Sequence, residues 1–171
     1  MNITILGAGA MGSLFGGYLS KNNHVWLVDV NENRVGTIRA HGIRVREADG
    51  DRVFHPAAVT NTQDLEPMDL IIVFVKAMYT VQALRENSRL IGKDTFLMTL
   101  QNGTGHEAKL LQFASADHVI IGSTQHNSSI IEEGYVNHGG SGETYIGILE
   151  GDGAQLGQIA ENFTSCGFDC S

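Results

Sequence analysis

Six residues near the start of the chain, Gly7, Ala8, Gly9, Ala10, Met11 and Gly12, have the GxGxxG spacing of a turn that holds the phosphates of a dinucleotide. Each glycine has a separate physical task there. Gly7 allows the tight turn, Gly9 lets the backbone approach a pyrophosphate, and Gly12 lets a helix lie close against the preceding strand. The phosphates would sit at the helix N-terminus, where free N–H groups and the positive end of the helix dipole converge. The motif alone is weak in a chain with 21 glycines, so its setting must discriminate. Asp29 lies 22 residues after Gly7, where an acid of this fold accepts hydrogen bonds from the adenosine ribose hydroxyls. A carboxylate at that place repels a 2′-phosphate, so NAD(H) is favoured as cofactor, with NADP(H) kept as the alternative.

Other residues have the right chemistry at less specific positions. Val75 and Lys76 end the most apolar run, and Asn102 with Gly103 ends the next, so both pairs fall on the edge where ligands bind in open α/β sheets. A lysine there can attract a phosphate or a carboxylate; an amide can serve a ribose or a carbonyl. From position alone, a plain surface lysine is an equally good reading of Lys76, and a plain Asn-Gly turn the better one of Asn102. His106 and His126 invite a general-acid role but read first as structural. The seven histidines show no paired ligand spacing, so no metal is expected. Cys166 and Cys170 do not form a CxxC redox pair.

The elements that must position these residues can be read from apolar periodicity. Asn2 to Leu6 suits a buried strand, Ala10 to Asn22 a helix, His24 to Val28 a second strand, and Asn31 to Ala40 a second helix. Residues 42–59 alternate in short segments around an Asp49-Gly50 turn, an antiparallel excursion. Leu70 to Val75 is continuous enough to be buried on both faces. A helix over Tyr79 to Leu90, a strand over Thr95 to Leu100, and a helix to Phe113 opened by a Thr104-x-x-Glu107 capping box follow. Val119 to Ile121 is a further strand, Tyr135-Val136 and Tyr145 to Ile148 suggest a hairpin at the sheet edge, and Gln155 to Cys166 a last helix. Strands alternating with helices imply an α/β fold: a doubly wound, mostly parallel, Rossmann-like sheet with an antiparallel edge hairpin, over one dinucleotide-binding domain, residues 1–171.

Composition bounds the rest. A chain with 42% hydrophobic and 18% charged residues is an ordinary globular protein. The net charge of −8, with no run of Lys or Arg, gives nucleic acid and anionic membranes no electrostatic hold. No apolar run approaches a membrane span, and the N-terminus lacks a signal-peptide pattern, so a cytoplasmic location is expected.

Taken together, Gly7 to Gly12, Val75-Lys76-Ala77, Gln101 to Gly105, and Gly122 through Gly147 with Gly134, Val136, His138, Gly140 and Gly142 resemble the N-terminal domain of the ketopantoate reductase family. The resemblance runs nearly end to end, and the last stretch is its most specific part. It implies hydride transfer between a nicotinamide and a 2-oxo acid, giving a D-2-hydroxy acid, with a small-molecule substrate. It places Lys76 and Asn102 near the nicotinamide ribose and substrate as supporting residues, and Ser128 near the carboxamide. It also implies a helical C-terminal domain, absent from these residues, that carries the principal proton-donating lysine. The 171 residues would then be a cofactor-binding piece that does not turn over alone, with a homodimer through that second domain as a candidate assembly. NADPH-specific members carry an arginine and a glutamine where this chain has Val30 and Tyr79. With Asp29, this departure favours the NAD-preferring D-2-hydroxyacid dehydrogenase branch over an NADPH-dependent 2-dehydropantoate 2-reductase. A dinucleotide-sensing module without catalysis is the reading from another class.

Overall fold

A computed structural model describes residues 1–171. Strand β1 (Asn2–Leu6) leads into helix α1 (Ala10–Leu19), β2 (His24–Val28), α2 (Glu32–His41), β3 (Ile43–Glu47), β4 (Gly50–Phe54) and β5 (Ala57–Val59). There follow β6 (Leu70–Val73), α3 (Thr80–Glu86), β7 (Phe96–Thr99), α4 (His106–Leu110) and β8 (Val119–Thr124). The chain continues through β9 (Asn127–Glu132), β10 (Tyr135–Gly140), β11 (Glu143–Ile148), α5 (Ala154–Ser165) and β12 (Asp169–Cys170).

Eight strands form one sheet in the order β12-β11-β8-β7-β6-β1-β2-β5. All neighbours are parallel except β8 and β11, which run antiparallel. Such a sheet is covered on both faces, which is why β1, β6 and β7 are apolar without alternation and β6 is buried at every residue. Register then brings the ends of β1 and β6 side by side: Leu6 pairs with Val73, and Val73 with Thr99 of β7. The loops after β1, β6 and β7 therefore converge on one edge. That edge carries the site.

A second sheet, ordered β4-β3-β10-β9, lies beside the first. Helix α1 is packed between them. Phe15 stacks on Phe168, with ring centroids 4.1 Å apart and planes at 5°, and Tyr18 meets Phe54 at 4.7 Å. Phe15 and Phe168 are buried, and each such side chain contributes about 1.5–3 kcal/mol by leaving water. Helix α2 begins at Asn31, whose side chain accepts the Arg34 N–H at 3.0 Å, and carries Glu32 in its first turn and Arg39 and His41 in its last.

Four expectations are corrected. Tyr135-Val136 and Tyr145 to Ile148 do not form a hairpin together. Tyr135 to Gly140 pairs antiparallel with β9 and parallel with β3, while Tyr145 to Ile148 joins the large sheet against β8. The partner of β10 is Asn127–Glu132, a polar, mostly exposed edge strand turned back through Gly134 at φ 74°. The Thr104–Glu107 capping box does not form. Helix α4 starts from Gly105 in the left-handed region at φ 86°, which puts Glu107 at the second helical position, short of the one a capping box needs. The helix expected over Tyr79 to Leu90 is regular only from Thr80 to Glu86, between two short 3₁₀ turns, and α4 stops at Leu110. Strand β6 ends at Val73, so Phe74 and Val75 already belong to the loop. The Asp49-Gly50 excursion is present as β3–β4, with Glu47 facing Gly50.

Candidate functional site

Gly7 leaves β1 at φ 101°, a conformation that L side chains rarely adopt, and a Cβ there would lie 2.9 Å from the Val75 nitrogen. A Cβ on Gly12 would meet the Gly7 carbonyl at 1.9 Å. The turn and the helix start can close only as glycines. Gly9 differs. It has φ −72°, and a Cβ there would find no atom within 4 Å. The open space lies directly over the start of α1, where Gly9, Ala10, Met11 and Gly12 have N–H groups with no acceptor in the protein. A cradle of unpaired donors with room above it suits an anion.

The turn is braced from beneath. The Gly7 N–H donates to the Val28 carbonyl at 2.8 Å, the Ala8 N–H donates to Oδ2 of Asp29 at 2.9 Å, and the Ser13 hydroxyl donates to the Ala8 carbonyl at 3.0 Å. Asp29 is thus a support of the turn as well as a strand-end acid. Its Oδ1 accepts the Asn31 N–H at 2.9 Å, and its Oδ2 also meets Nη1 of Arg34 at 3.2 Å. An ionised carboxylate has about four lone-pair sites, so three donors leave room for one hydroxyl. Arg34 is held on its other side by Glu133, at 2.7 Å from Nε. This second bond is the largest cause pushing the guanidinium pKa above its usual value.

Along the same edge lies a cavity of about 450 Å³ lined by Met11, Phe74, Val75, Ala77, Leu100, Gln101, Asn102, His106, Thr124, His126, Asn127 and Ser128. It brings together Met11, Val75, Asn102 and Ser128 of the residues read from the sequence. Lys76 stands outside its lining, exposed on the rim. Gln101 ties the edge: its Nε2 donates to the Val75 carbonyl and its Oε1 accepts from Thr99 at 3.0 Å. The Asn102 carbonyl can only accept, so His106 carries a hydrogen on Nε2, 2.8 Å away, and leaves Nδ1 buried and unpartnered.

Two further polar atoms in this lining are buried without a partner, Nε2 of His126 and Oγ of Ser128. Buried polar groups are nearly always satisfied, so orphans in a cavity wall point to a ligand. The pKa of His126 is lowered, chiefly by burial and next by His138, against smaller pulls from the Gly142 backbone and Glu47. Gln101 and His126 were the residues undervalued from sequence. The available signal for His126 was its place two residues before Ser128, on the same face of an extended segment.

A parallel sheet, a glycine turn opening a helix of ten residues and an acid at the tip of the second strand define a Rossmann-like α/β domain. Residues 3–151 match the family described as ketopantoate reductase PanE/ApbA, and the chain belongs to that family. It is 34% identical to the 2-dehydropantoate 2-reductase of Halobacterium salinarum and 32% identical to that of Lactococcus lactis subsp. lactis, over 99% of this chain in both. It spans only 56% and 55% of those relatives' lengths. Among solved structures it is similar to D-mandelate dehydrogenase with NADH and anilino(oxo)acetate, with TM-score 0.92 and 31% identity over 100% of this chain and 56% of that one. It is also similar to 2-dehydropantoate 2-reductase from Geobacter metallireducens, with TM-score 0.90 and 28% identity over 99% of this chain and 57% of that one.

Proposed function

We propose that this chain is the nicotinamide-dinucleotide-binding domain of a reductase that interconverts a 2-oxo acid and a D-2-hydroxy acid, with NADH preferred. The observation that carries the proposal is the open cradle over Gly9, ringed by four unpaired N–H groups. The similar D-mandelate dehydrogenase structure, named with NADH and an oxo acid analogue, supports the substrate class. When bound, the cofactor supplies the hydride that reduces the carbonyl carbon.

The residues of this chain bind, orient and exclude. Gly9, Ala10, Met11 and Gly12 hold the pyrophosphate through their free backbone donors at the positive end of α1, on a turn that Gly7 and Ala8 shape. Asp29 accepts one ribose hydroxyl on its remaining lone pair. Met11 and Val75 form the apolar part of the nicotinamide wall, and Asn102 and Ser128 supply polar contacts in the same cavity. Lys76, on the rim, attracts the anionic substrate or cofactor rather than touching the ring. Preference for NADH follows from the charge around Asp29: Arg34, the one cation near a 2′-phosphate, is already shared by Asp29 and Glu133. The NADPH-dependent reading requires Arg34 to leave both carboxylates.

The test is a fluorescence titration with NADH on the parent chain and on Gly9→Asp. The open space and negative φ at Gly9 allow the side chain without strain, so the variant should fold. Its carboxylate lies against the phosphates, and affinity should fall at least tenfold. An unchanged Kd in a folded Gly9→Asp protein refutes the placement of the cofactor.

A further inference from the structure

His126 is 6% exposed, and while its Nε2 has no partner, its Nδ1 lies 3.0 Å from Nε2 of His138. Nδ1 of His138 in turn lies 2.8 and 3.0 Å from the two carboxylate oxygens of Glu47, which also accepts the Tyr18 hydroxyl. The imidazole centroids are 5.2 Å apart with planes at 27°, so the rings meet edge to edge, as a nitrogen-to-nitrogen hydrogen bond requires. Glu47 comes from β3, His138 from β10 and His126 from the turn into β9. The chain of groups therefore runs from the second sheet into the wall of the cofactor cavity.

The far end decides which atoms carry hydrogens. An ionised Glu47 only accepts, so His138 donates from Nδ1. In neutral His138, Nε2 is then a lone pair, and His126 must donate to it from Nδ1. In neutral His126 this leaves Nε2 as a bare acceptor. One proton added at that atom reverses the set. The His126 Nδ1 proton passes to Nε2 of His138, leaving a His138 cation beside Glu47 and an Nε2–H donor on His126. One proton enters, one moves, no electrons transfer, and both internal hydrogen bonds survive.

The groups around the chain are few. The rings of Phe15 and Phe168 stand nearly perpendicular to that of His126, at 6.4 and 5.1 Å between centroids. Tyr18 approaches from α1, with Asp49 and Arg52 acting on it from the β3–β4 hairpin, and His106 of α4 lines the same cavity. The Gly142 backbone, an acceptor beside the His126 ring, favours its protonated form but gives Nε2 no hydrogen bond of proper geometry. Burial, and next His138, favour the neutral His126 ring. Ser128 is directly opposite His138 in the β9–β10 register, which puts its orphan hydroxyl on the same face. An acceptor and a hydroxyl donor side by side are the complement of a primary carboxamide, with its N–H donors and its carbonyl.

We propose that Glu47, His138 and His126 form a proton relay whose unpartnered end, the buried Nε2 of His126, accepts an N–H of the nicotinamide carboxamide. The inference rests on the dinucleotide reading of the cavity. His126 is a binding residue; His138 and Glu47 are positioning residues that set its tautomer. Dinucleotide binding is then proton-linked: protonating the relay removes the acceptor, so affinity is full at high pH and falls as pH drops through the relay's titration.

The test has two parts. In the ligand-free protein, nitrogen-15 histidine NMR should show both His126 and His138 with hydrogen on Nδ1 at pH 8; His126 protonated on Nε2 there overturns the relay. Dissociation constants are then measured from pH 8.5 to 5.5 for NAD⁺ and for its deamido analogue, which has a carboxylate in place of the carboxamide. NAD⁺ should weaken by up to about tenfold per pH unit below the relay's midpoint. The deamido analogue should tighten over the same range, because a carboxylate needs the donor form. Glu47→Gln removes the counter-ion of the His138 cation and should move both profiles to lower pH. Identical profiles for the two dinucleotides, or profiles unmoved by Glu47→Gln, overturn the proposal. Correct tautomers with no binding of either dinucleotide overturn the carboxamide contact together with the cofactor reading, whereas binding without pH linkage overturns the relay alone.

Discussion

Replacing Asp29 by asparagine should narrow the gap between NADH and NADPH while leaving the phosphate turn standing. The amide oxygen can still accept the Ala8 N–H, now met by Oδ2 at 2.9 Å, so the turn keeps its brace and gives up, besides the charge, only the bond from the Asn31 N–H to Oδ1. Asp29, Glu133 and Arg34 together carry one net negative charge in the parent. A 2′-phosphate about 4 Å from one such charge meets roughly 4 kcal/mol of repulsion per charge pair at an effective dielectric near 20. The Asp29 and Arg34 side chains are 11% and 22% exposed, so solvent reduces this. A quarter of it, about 1 kcal/mol, is roughly a fivefold preference for NADH. In Asp29→Asn the local charge is zero, and the ratio of the two dissociation constants should approach one at low salt. Glu133→Gln should act by a second route, releasing Arg34 from its stronger partner and improving NADPH binding with little change for NADH. Equal affinities of the parent for both cofactors, or a ratio unmoved by Asp29→Asn, would show that this cluster does not select the cofactor.

Two further outcomes follow from packing and burial. Phe15→Ala should destabilise the fold by about 3–5 kcal/mol, read as a shift in the denaturant midpoint, since Phe15 is fully buried against Phe168, Phe74 and Phe163. A loss below about 1 kcal/mol would mean that α1 is not held between the sheets by this cluster. His126 has its pKa lowered from 6.5, so between the two values the unfolded chain binds the extra proton and the folded one does not. Its contribution to stability is therefore present above pH 6.5 and lost as pH falls below it. Thermal melts of the parent and His126→Gln should converge toward acid pH; curves that stay parallel would contradict this.

The parallel sheet was legible because its strands are buried on both faces and need continuous apolar runs: Leu70 to Val73 could hardly be anything else. The glycine turn was legible because steric demands leave glycine alone at Gly7 and Gly12. Strand β9 was not, since an exposed edge strand of Asn, Ser and Glu with two adjacent exposed isoleucines, Ile130 and Ile131, carries no period that separates it from a loop. Its absence from the reading left β10 without its partner and paired it with β11. The capping box failed for a related reason. Spacing at Thr104 and Glu107 was right, but Gly105 in the left-handed region moved the helix start by one residue. Asp29 follows directly on β2, as its spacing suggested, but its bond to the Ala8 N–H and its pairing with Arg34 required the fold. The relay from Glu47 through His138 to His126 joins residues up to 91 apart in sequence, and no local pattern reports it.

The placement of a nicotinamide dinucleotide over the start of α1 is tested most directly by titrating nitrogen-15-labelled protein with NADH and following individual backbone amides. Saturable shifts are predicted at Gly9, Ala10, Met11 and Gly12, whose N–H groups have no acceptor in the protein, with smaller changes at Ser128 and His126. Binding that leaves those four amides unmoved, or no binding at millimolar NADH, would contradict the account.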